Sequence, residues 1–391
     1  MANTIKLGTN GNWATKEGSL LAYNDENNNF KPLPFTTTRA SSASVVNKQG
    51  LIETVGSAIP RIDFSDDANG ALLLEPSRTN FDSQSTNFST SFMSNSFGIS
   101  SSVLTSEIAP DGSVNSVYKI TKVTDHSDPY LGRSGLGFSN NNMVFSVWLW
   151  TDSNQPKDAL FLVYRDATQE VQTKIITLTT TPTRYFIDAN FSTTPSTVSY
   201  RIDLSGIESN QYIYAWGKQL EVGSYATSYI KTVGTAQTRV ADTASGSGNS
   251  TVINSSEGVL YAEIAGLSNP VDSPKNITIS DGTASNYVRI EYYQDGRVYG
   301  NVYDGASVAS SFVVNQTNFN KIAIQYSSSG SKLYVNGTGV DFASKIFTSN
   351  TLNTIQFSSS TTNSKYFYGK VKDIRVYNEA LTDSELQALT T

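Results

Sequence analysis

The chain contains no cysteine and a single histidine, His126, in 391 residues. The first absence excludes disulfide scaffolds, thiolate zinc sites, iron–sulfur clusters and cysteine nucleophiles. The second excludes multi-histidine metal sites. Charge is scarce as well: 16% of residues are Asp, Glu, Lys or Arg, against about 25% in an ordinary soluble domain. The formal net charge of -6 is the wrong sign for nucleic acid, which needs a basic surface. The longest apolar stretch, around Val144–Trp150, is far short of the ~18 residues that span a bilayer, so membrane insertion is not expected. No apolar signal segment follows Met1, which points to synthesis and folding in a cytoplasm.

What is abundant is equally informative. Ser, Thr and Asn make up roughly a third of the chain, well above average usage, and there are 21 Tyr, 18 Phe and 4 Trp. So many aromatics can bury a sizeable core, which argues against disorder. Helical periodicity is nearly absent. The exception is Leu381–Leu389, where Thr382 and Glu385 form a capping box and Asp383 suits the helix dipole. Elsewhere Val, Ile, Thr, Tyr and Phe runs alternate with Gly, Asn, Asp and Ser clusters. The expected fold is therefore all-β: an N-terminal extended segment followed by two antiparallel β-sandwiches. Asp295-Gly296 and Asn336-Gly337 read as type I′ hairpin turns, and Pro110-Asp111-Gly112 as a further turn.

Composition divides the chain into five parts. Residues 1–35 are Asn- and Gly-rich, with a loop at Asn24–Asn29 and a close at Pro32 and Pro34. Residues 36–80 connect them to a strand series over 81–240. The small-residue tract within 241–253 reads as a linker, and 254–391 forms a second strand-rich domain.

Within these domains, strand alternation selects candidate binding residues. Trp148 and Trp150 share one face of their strand; Phe145, Val147 and Leu149 take the other. Tyr212, Tyr214 and Trp216 share a face opposite Ile213 and Ala215. In the last domain Tyr287, Arg289, Glu291 and Tyr293 alternate with Val288, Ile290 and Tyr292, the latter set being core. Aromatic side chains with polar tips suit a wet sugar-binding surface, and Trp148, Trp150, Tyr212, Tyr214, Trp216, Tyr287, Arg289 and Tyr293 are the candidates. Beside this stands the plain reading that large aromatics are mostly buried and that one face of an antiparallel sheet is ordinarily solvated.

Cofactor chemistry has little support. Asp125-His126-Ser127-Asp128 gathers three potential ligands, and a structural calcium there is the one ion to consider, though calcium wants six to eight oxygens. No catalytic residues are expected. Paired carboxylates for glycoside cleavage do not occur at a local strand spacing; Tyr261-Ala262-Glu263-Ile264 is the nearest look-alike and lacks partners. The only Gly-Ser-Gly, at Gly246–Gly248, lies in the small-residue tract and precedes no helix, unlike a nucleophile elbow.

Three groups of residues carry a family resemblance. Thr38-Arg39-Ala40-Ser41, Pro60-Arg61-Ile62-Asp63-Phe64, Leu72-Leu73-Leu74-Glu75-Pro76 and Arg78-Thr79-Asn80 succeed one another as in a segment that resembles one found in tailed-phage structural proteins. Phe145–Leu149, Ile213–Glu221 and Gly223–Ile230 resemble jelly-roll carbohydrate-binding modules of such proteins. Lys332–Gly337 and Tyr368–Asp383 resemble the hairpin, closing strand and helix of laminin G, or concanavalin A-like, lectin domains.

The resemblance implies a fibre- or spike-type virion protein, made in a bacterial cytoplasm and displayed on the particle. It implies attachment to other virion proteins through residues 1–35 and binding of host surface polysaccharide through the sandwiches. Fibre symmetry makes a homotrimer the expected assembly, although no heptads support one. Two other readings stay open: a purely structural head-fibre, decoration or tail component, and a polysaccharide depolymerase.

Overall fold

The computed structural model describes residues 3–22, 33–93, 95–124, 126–137, 140–155, 158–165, 170–345, 347–359 and 365–391. The expected loop at Asn24–Asn29, Pro32 and the first acidic residue of the Asp125–Asp128 tract lie outside them. The protein is nearly all-β, with 49% strand and 3% helix. It forms two compact units. Unit 1 comprises residues 1–50, 54–76 and 240–391, and unit 2 comprises 51–53 and 77–239.

Unit 2 is an antiparallel sandwich of two five-stranded sheets. One runs Asn95–Phe97, Tyr130–Gly137, Thr197–Asp203, Asp158–Arg165, Val171–Thr177. The other runs Ile99–Leu104, Val117–Lys122, Tyr212–Val222, Asn142–Trp150, Thr183–Asn190. The inward residues follow the expected alternation: Phe145, Val147, Leu149, Ile213 and Ala215 are completely buried. Phe145 stacks on Tyr200 of the facing sheet at 4.0 Å. Such an aromatic pair adds about 0.5–1.5 kcal/mol beyond its area burial.

Unit 1 is a second sandwich. Its smaller sheet orders Ser307–Val313, Arg297–Asp304, Asn286–Tyr292, Lys275–Ser280 and Thr354–Gln356. Its larger sheet orders Thr338–Phe342, Ser331–Val335, Asn320–Tyr326, Gly258–Gly266, Gly369–Tyr377, Ala71–Leu74 and Ile62–Asp63. Val288, Ile290 and Tyr292 point into the core between them. The C-terminal helix spans Asp383–Thr390 and carries both halves of the Thr382/Glu385 capping box. It seats Leu386 against Val259, Tyr261 and Ala323 on the outer face of the larger sheet. The Asn336-Gly337 hairpin has both residues at positive φ (49° and 81°), as a type I′ turn demands. At Asp295-Gly296 only Gly296 does (φ 77°). Tyr293 N–H bonds Arg297 O at 3.0 Å, so this is a three-residue loop with a left-handed glycine, the next commonest hairpin, and not a type I′ turn.

The N-terminal residues are built into unit 1 and do not stand outside it. Ile5–Leu7 pairs with the Gly369–Tyr377 strand, Ile5 opposite Val376, and Ile5, Leu7 and Leu20 are buried in the core. The Asn and Gly content dominates the composition there and obscures these few apolar anchors. The small-residue tract at 241–253 is likewise structural. Thr243–Ser245 pairs with Leu33–Thr38, and Ser247 and Ile253 are buried.

Asp242, in that tract, anchors a buried ionic network. Its carboxylate accepts from Arg39 Nη1 at 2.8 Å and from Arg61 Nη2, and it also accepts the Glu75 N–H at 3.0 Å. Arg61 Nη1 reaches Glu75 Oε2 at 2.7 Å. Arg39 donates further to the carbonyls of Ser41 (2.9 Å) and Ile59 (3.1 Å). All four side chains are at most 6% exposed. Burial works against the Arg61 charge, but Glu75 and Asp242 outweigh it and raise its pKa. Removing one member of a buried charge set strands the others. Asp242→Ala leaves Arg39 with no carboxylate among the described residues. It is expected to cost about 3–5 kcal/mol, read as a lowered urea midpoint; a loss under about 0.5 kcal/mol, the range of an ordinary surface substitution, would show that the network contributes little.

Candidate functional site

In unit 2 the Asn142–Trp150 strand lies beside Tyr212–Val222, with Trp148 opposite Trp216 and Trp150 opposite Tyr214. A register shift between Ser146 and Trp148 coincides with Gly217 at φ 66°. A Cβ on Gly217 would come within 2.9 Å of the Trp148 ring, so the close approach requires glycine there. Trp216 is completely buried and Trp150 is 5% exposed. Trp216 Nε1 donates to Ser116 Oγ at 3.2 Å, and its ring packs on Tyr229 at 4.7 Å. Trp148 meets Trp216 and Tyr229 edge-on at 5.3 and 5.5 Å. The Arg184 guanidinium lies 4.5 Å from the Trp148 ring centre, held there by Thr227 O and Ser146 Oγ.

These tryptophans form a second hydrophobic cluster with Ala109, Val117 and Tyr229, on the face of the sheet away from the main core. Trp150 and Trp216 present no ring to solvent. The covering residues, above all Tyr229 and Arg184, come from distant sequence, so strand alternation alone did not reveal them.

Tyr212 and Tyr214 sit half-buried at the rim of this cluster. Both hydroxyls donate to Asp152 Oδ2, at 2.5 and 3.1 Å, and Lys119 Nζ lies 3.7 Å from the Tyr212 ring centre. The hydrogen bond to Asp152, then burial, raises the Tyr212 pKa. For Tyr214 burial leads and Asp152 follows. Both therefore act as neutral phenols.

In unit 1 the expected alternation places Tyr287, Arg289 and Glu291 together on the outer face of the five-stranded sheet. Register adds neighbours that reading one strand at a time had missed. Tyr287 lies opposite Tyr303, Arg289 opposite Asn301 and Glu291 opposite Tyr299. On the other side Thr278 faces Arg289 and Asn276 faces Glu291. The signal was present in Tyr299, Asn301 and Tyr303, which alternate with Val298, Gly300 and Val302, but only the hairpin register aligns the rows.

This polar face is tightly interconnected. Tyr287 and Tyr303 stack at 5.1 Å with an interplanar angle of 5°. The Arg289 guanidinium lies 3.9 Å from the Tyr287 ring centre, and its Nε donates to Thr278 Oγ1 at 3.4 Å. Glu291 is 3.8 Å from Lys365 Nζ. Turned to suit its neighbours, the Asn276 amide donates to Glu291 Oε1 at 3.0 Å. Tyr299 Oη donates to Asp295 Oδ2 at 2.7 Å. Tyr293, 40% exposed, touches Tyr299 edge-on at 5.8 Å. Burial raises the Tyr287 pKa, opposed by Arg289 and reinforced by Glu291, so this phenol also stays a donor at neutral pH. The result is a largely buried layer: Asn276 and Thr278 are fully buried and Tyr287, Arg289 and Glu291 are at most 9% exposed, so the outward solvation expected for this face is not what the fold gives. Tyr293, Tyr299, Asn301 and Tyr303 are the members that reach solvent. Their hydroxyl and amide groups beside flat rings are the chemistry that matches clustered hydroxyls.

Residues 267–387, which contain this whole sheet, match a family model described as the concanavalin A-like lectin/glucanases superfamily. This part of unit 1 is thus similar to a concanavalin A-like lectin domain. No curated protein matches the chain. Among solved structures, similarity extends to the CBM40 of the Ruminococcus gnavus IT-sialidase bound to α2,3-sialyllactose. That match has 18% identity, covers 38% of this chain and 94% of that one, and has a TM-score of 0.32. Domain 4 of AbnA, a GH43 extracellular arabinanase from Geobacillus stearothermophilus, in complex with arabinotriose, matches at 11% identity. It covers 39% and 73% of the two chains, with a TM-score of 0.33.

Neither unit gathers a cation site among the described residues: no group of three or more His, Asp or Glu side chains is placed to hold a metal. In the expected calcium loop, His126 Nδ1 accepts from Asp128 N–H at 3.1 Å, and the Asp128 carboxylate pairs with Arg201 at 3.2 Å.

The contrast between the buried cluster and the solvent-reaching part of the polar face in unit 1 is testable by stability. Trp216→Ala is expected to cost about 3–5 kcal/mol, whereas Tyr293→Ala costs within about 0.5 kcal/mol, as an exposed position should. Denaturant unfolding of the two variants distinguishes them; equal losses would contradict the assignment.

Proposed function

We propose that the protein is a receptor-binding adhesin that recognises saccharides of a host cell surface through the outer face of the five-stranded sheet in unit 1, where Tyr293, Tyr299, Asn301 and Tyr303 reach solvent over the buried layer of Thr278, Tyr287, Arg289 and Glu291. The observation that carries this reading is the ordered set of donors, acceptors and stacked rings on a sheet within the concanavalin A-like segment. Half-buried Tyr212 and Tyr214 with Lys119 and Asp152 in unit 2 offer a second, smaller surface of the same chemistry. The resemblance of residues 38–80 to a tailed-phage segment supports placing this adhesin on a virion as a fibre or spike component, displayed as a homotrimer and joined to other virion proteins. A shallow polar site binds one sugar weakly, and repetition over several copies raises avidity by about 10²–10⁴ without new contacts.

The test is binding of the full chain, clustered on beads, to purified surface polysaccharide of candidate hosts. Arg289→Ala removes the guanidinium that orders Tyr287 and is expected to weaken retention about tenfold or more, with a retained cooperative unfolding transition of unit 1 as the folding control. Failure of the clustered protein to bind any such polysaccharide would refute the adhesin reading. Release of oligosaccharides during the incubation would instead mark the protein as a depolymerase.

A further inference from the structure

The outer face of the larger sheet in unit 1 carries a pocket of ≈ 410 Å³, within the usual range for small-ligand sites. Its floor is made by side chains of three neighbouring strands, Tyr261 and Glu263, Lys321, and Lys372 to Arg375. Its walls are the turn at residues 8–11, the loop at 67–70 and the end of the C-terminal helix. The walls are pinned in place: Thr9 Oγ1 donates to Asp373 Oδ1 at 2.6 Å, and Trp13 Nε1 donates to Asn69 O at 2.9 Å.

Most charges in the pocket are already engaged. Asp373 Oδ2 accepts from Arg375 Nε and Nη2 at 2.9 and 2.6 Å. Lys372 Nζ pairs with Asp67 at 2.8 Å. Three groups are left over. The Tyr261 hydroxyl, the Glu263 carboxylate and the Lys321 ammonium make no hydrogen bond to a described residue. Among the described residues Glu263 has only a long ion pair, to Lys372 Nζ at 3.9 Å, and Lys321 reaches no carboxylate at ion-pairing distance. Yet Tyr261 is only 2% exposed, and burial raises the Glu263 pKa against the pull of Lys372 and Lys321. The sheet sets the three side by side, with Glu263 directly opposite Lys321 and Tyr261 two residues along the same strand. None of the three is among the buried polar atoms that lack a partner, so their donors and acceptors face the open volume of the pocket and are available to a ligand's polar atoms.

The trio also defines the ligand's chemistry. A carboxylate accepts from two adjacent hydroxyls, an ammonium donates to a hydroxyl oxygen, and a phenol does either. Asp67, Glu263 and Asp373 balance Lys321, Lys372 and Arg375, so the pocket favours an uncharged ligand over an ion of either sign. We infer that this pocket is a binding site for a single neutral, hydroxyl-rich sugar unit, separate from the polar face of the smaller sheet. The inference does not depend on that face binding saccharide.

Saturation-transfer NMR on the full chain tests it, with glucose, galactose and N-acetylglucosamine as probes and glucuronate and glucosamine as charged controls. At least one neutral sugar is expected to give a saturable signal stronger than the charged controls. Glu263→Gln and Lys321→Ala should each weaken it about tenfold, and Tyr261→Phe, which keeps the ring and its packing, should weaken it too. The same losses are expected when these substitutions are made in an Arg289→Ala background, which removes any contribution from the polar face. Absence of a saturable signal from all three neutral sugars overturns the inference, as does an Arg289→Ala signal that is undiminished by adding the Glu263→Gln/Lys321→Ala pair. A signal lost in Arg289→Ala but kept in the Glu263→Gln/Lys321→Ala double variant assigns the sugar to the polar face, which overturns the pocket and leaves the adhesin reading standing.

Discussion

Asp242 accepts from two arginines that have almost no contact with water, and the architecture of unit 1 is organised around that contact. Arg39, Arg61, Glu75 and Asp242 come from stretches up to 203 residues apart. A buried charge is tolerated only when paired and hydrogen-bonded, so each residue constrains where the other three lie. Asp242 N–H bonds Glu75 O at 2.9 Å, and Leu73 N–H bonds Arg61 O at 2.8 Å, which ties the side-chain network to the backbone. Arg39, Arg61 and Glu75 are three of the charged residues of the 36–80 segment, beside others such as Asp63 and Arg78. Their place inside the unit gives that segment a structural reason that is separate from any contact with a partner.

The two aromatic-rich faces show how similar alternation is closed over by different chemistry. In unit 2 the tryptophans at alternate positions are covered by Tyr229 and Arg184, and they become a small core. In unit 1 the alternate positions carry Tyr, Arg and Glu, whose polar tips need water, a neighbour or a ligand. There the side chains of Tyr287, Arg289 and Glu291 bury one another, each at most 9% exposed, and hydrogen bonds and ring stacking hold them in one arrangement. Ordering side chains in advance lowers the cost of fixing them when a ligand binds.

Much of the fold was legible in local pattern. The strand character, the core set Val288, Ile290 and Tyr292, the type I′ turn at Asn336-Gly337 and the capping box at Thr382 and Glu385 depend on residues within a few positions of one another. The N-terminal strands and the Ala241–Ser250 tract were not legible. There the small and polar residues resemble a linker, and only long-range pairing with the Gly369–Tyr377 and Leu33–Thr38 strands shows that they are packed.

The same division holds at the candidate sites. Sequence alone determined which residues share a face, because the side-chain period of a strand is two and needs no tertiary information. It determined equally that cysteine and multi-histidine chemistry is excluded. Only the tertiary structure decided what covers each face: that Trp216 is sealed by Tyr229, that Tyr287 stacks on Tyr303, and that Lys372 lies between Asp67 and Glu263. Those decisions rest on register and on contacts between segments tens to hundreds of residues apart, where burial and charge pairing act through space and leave no periodic trace along the chain.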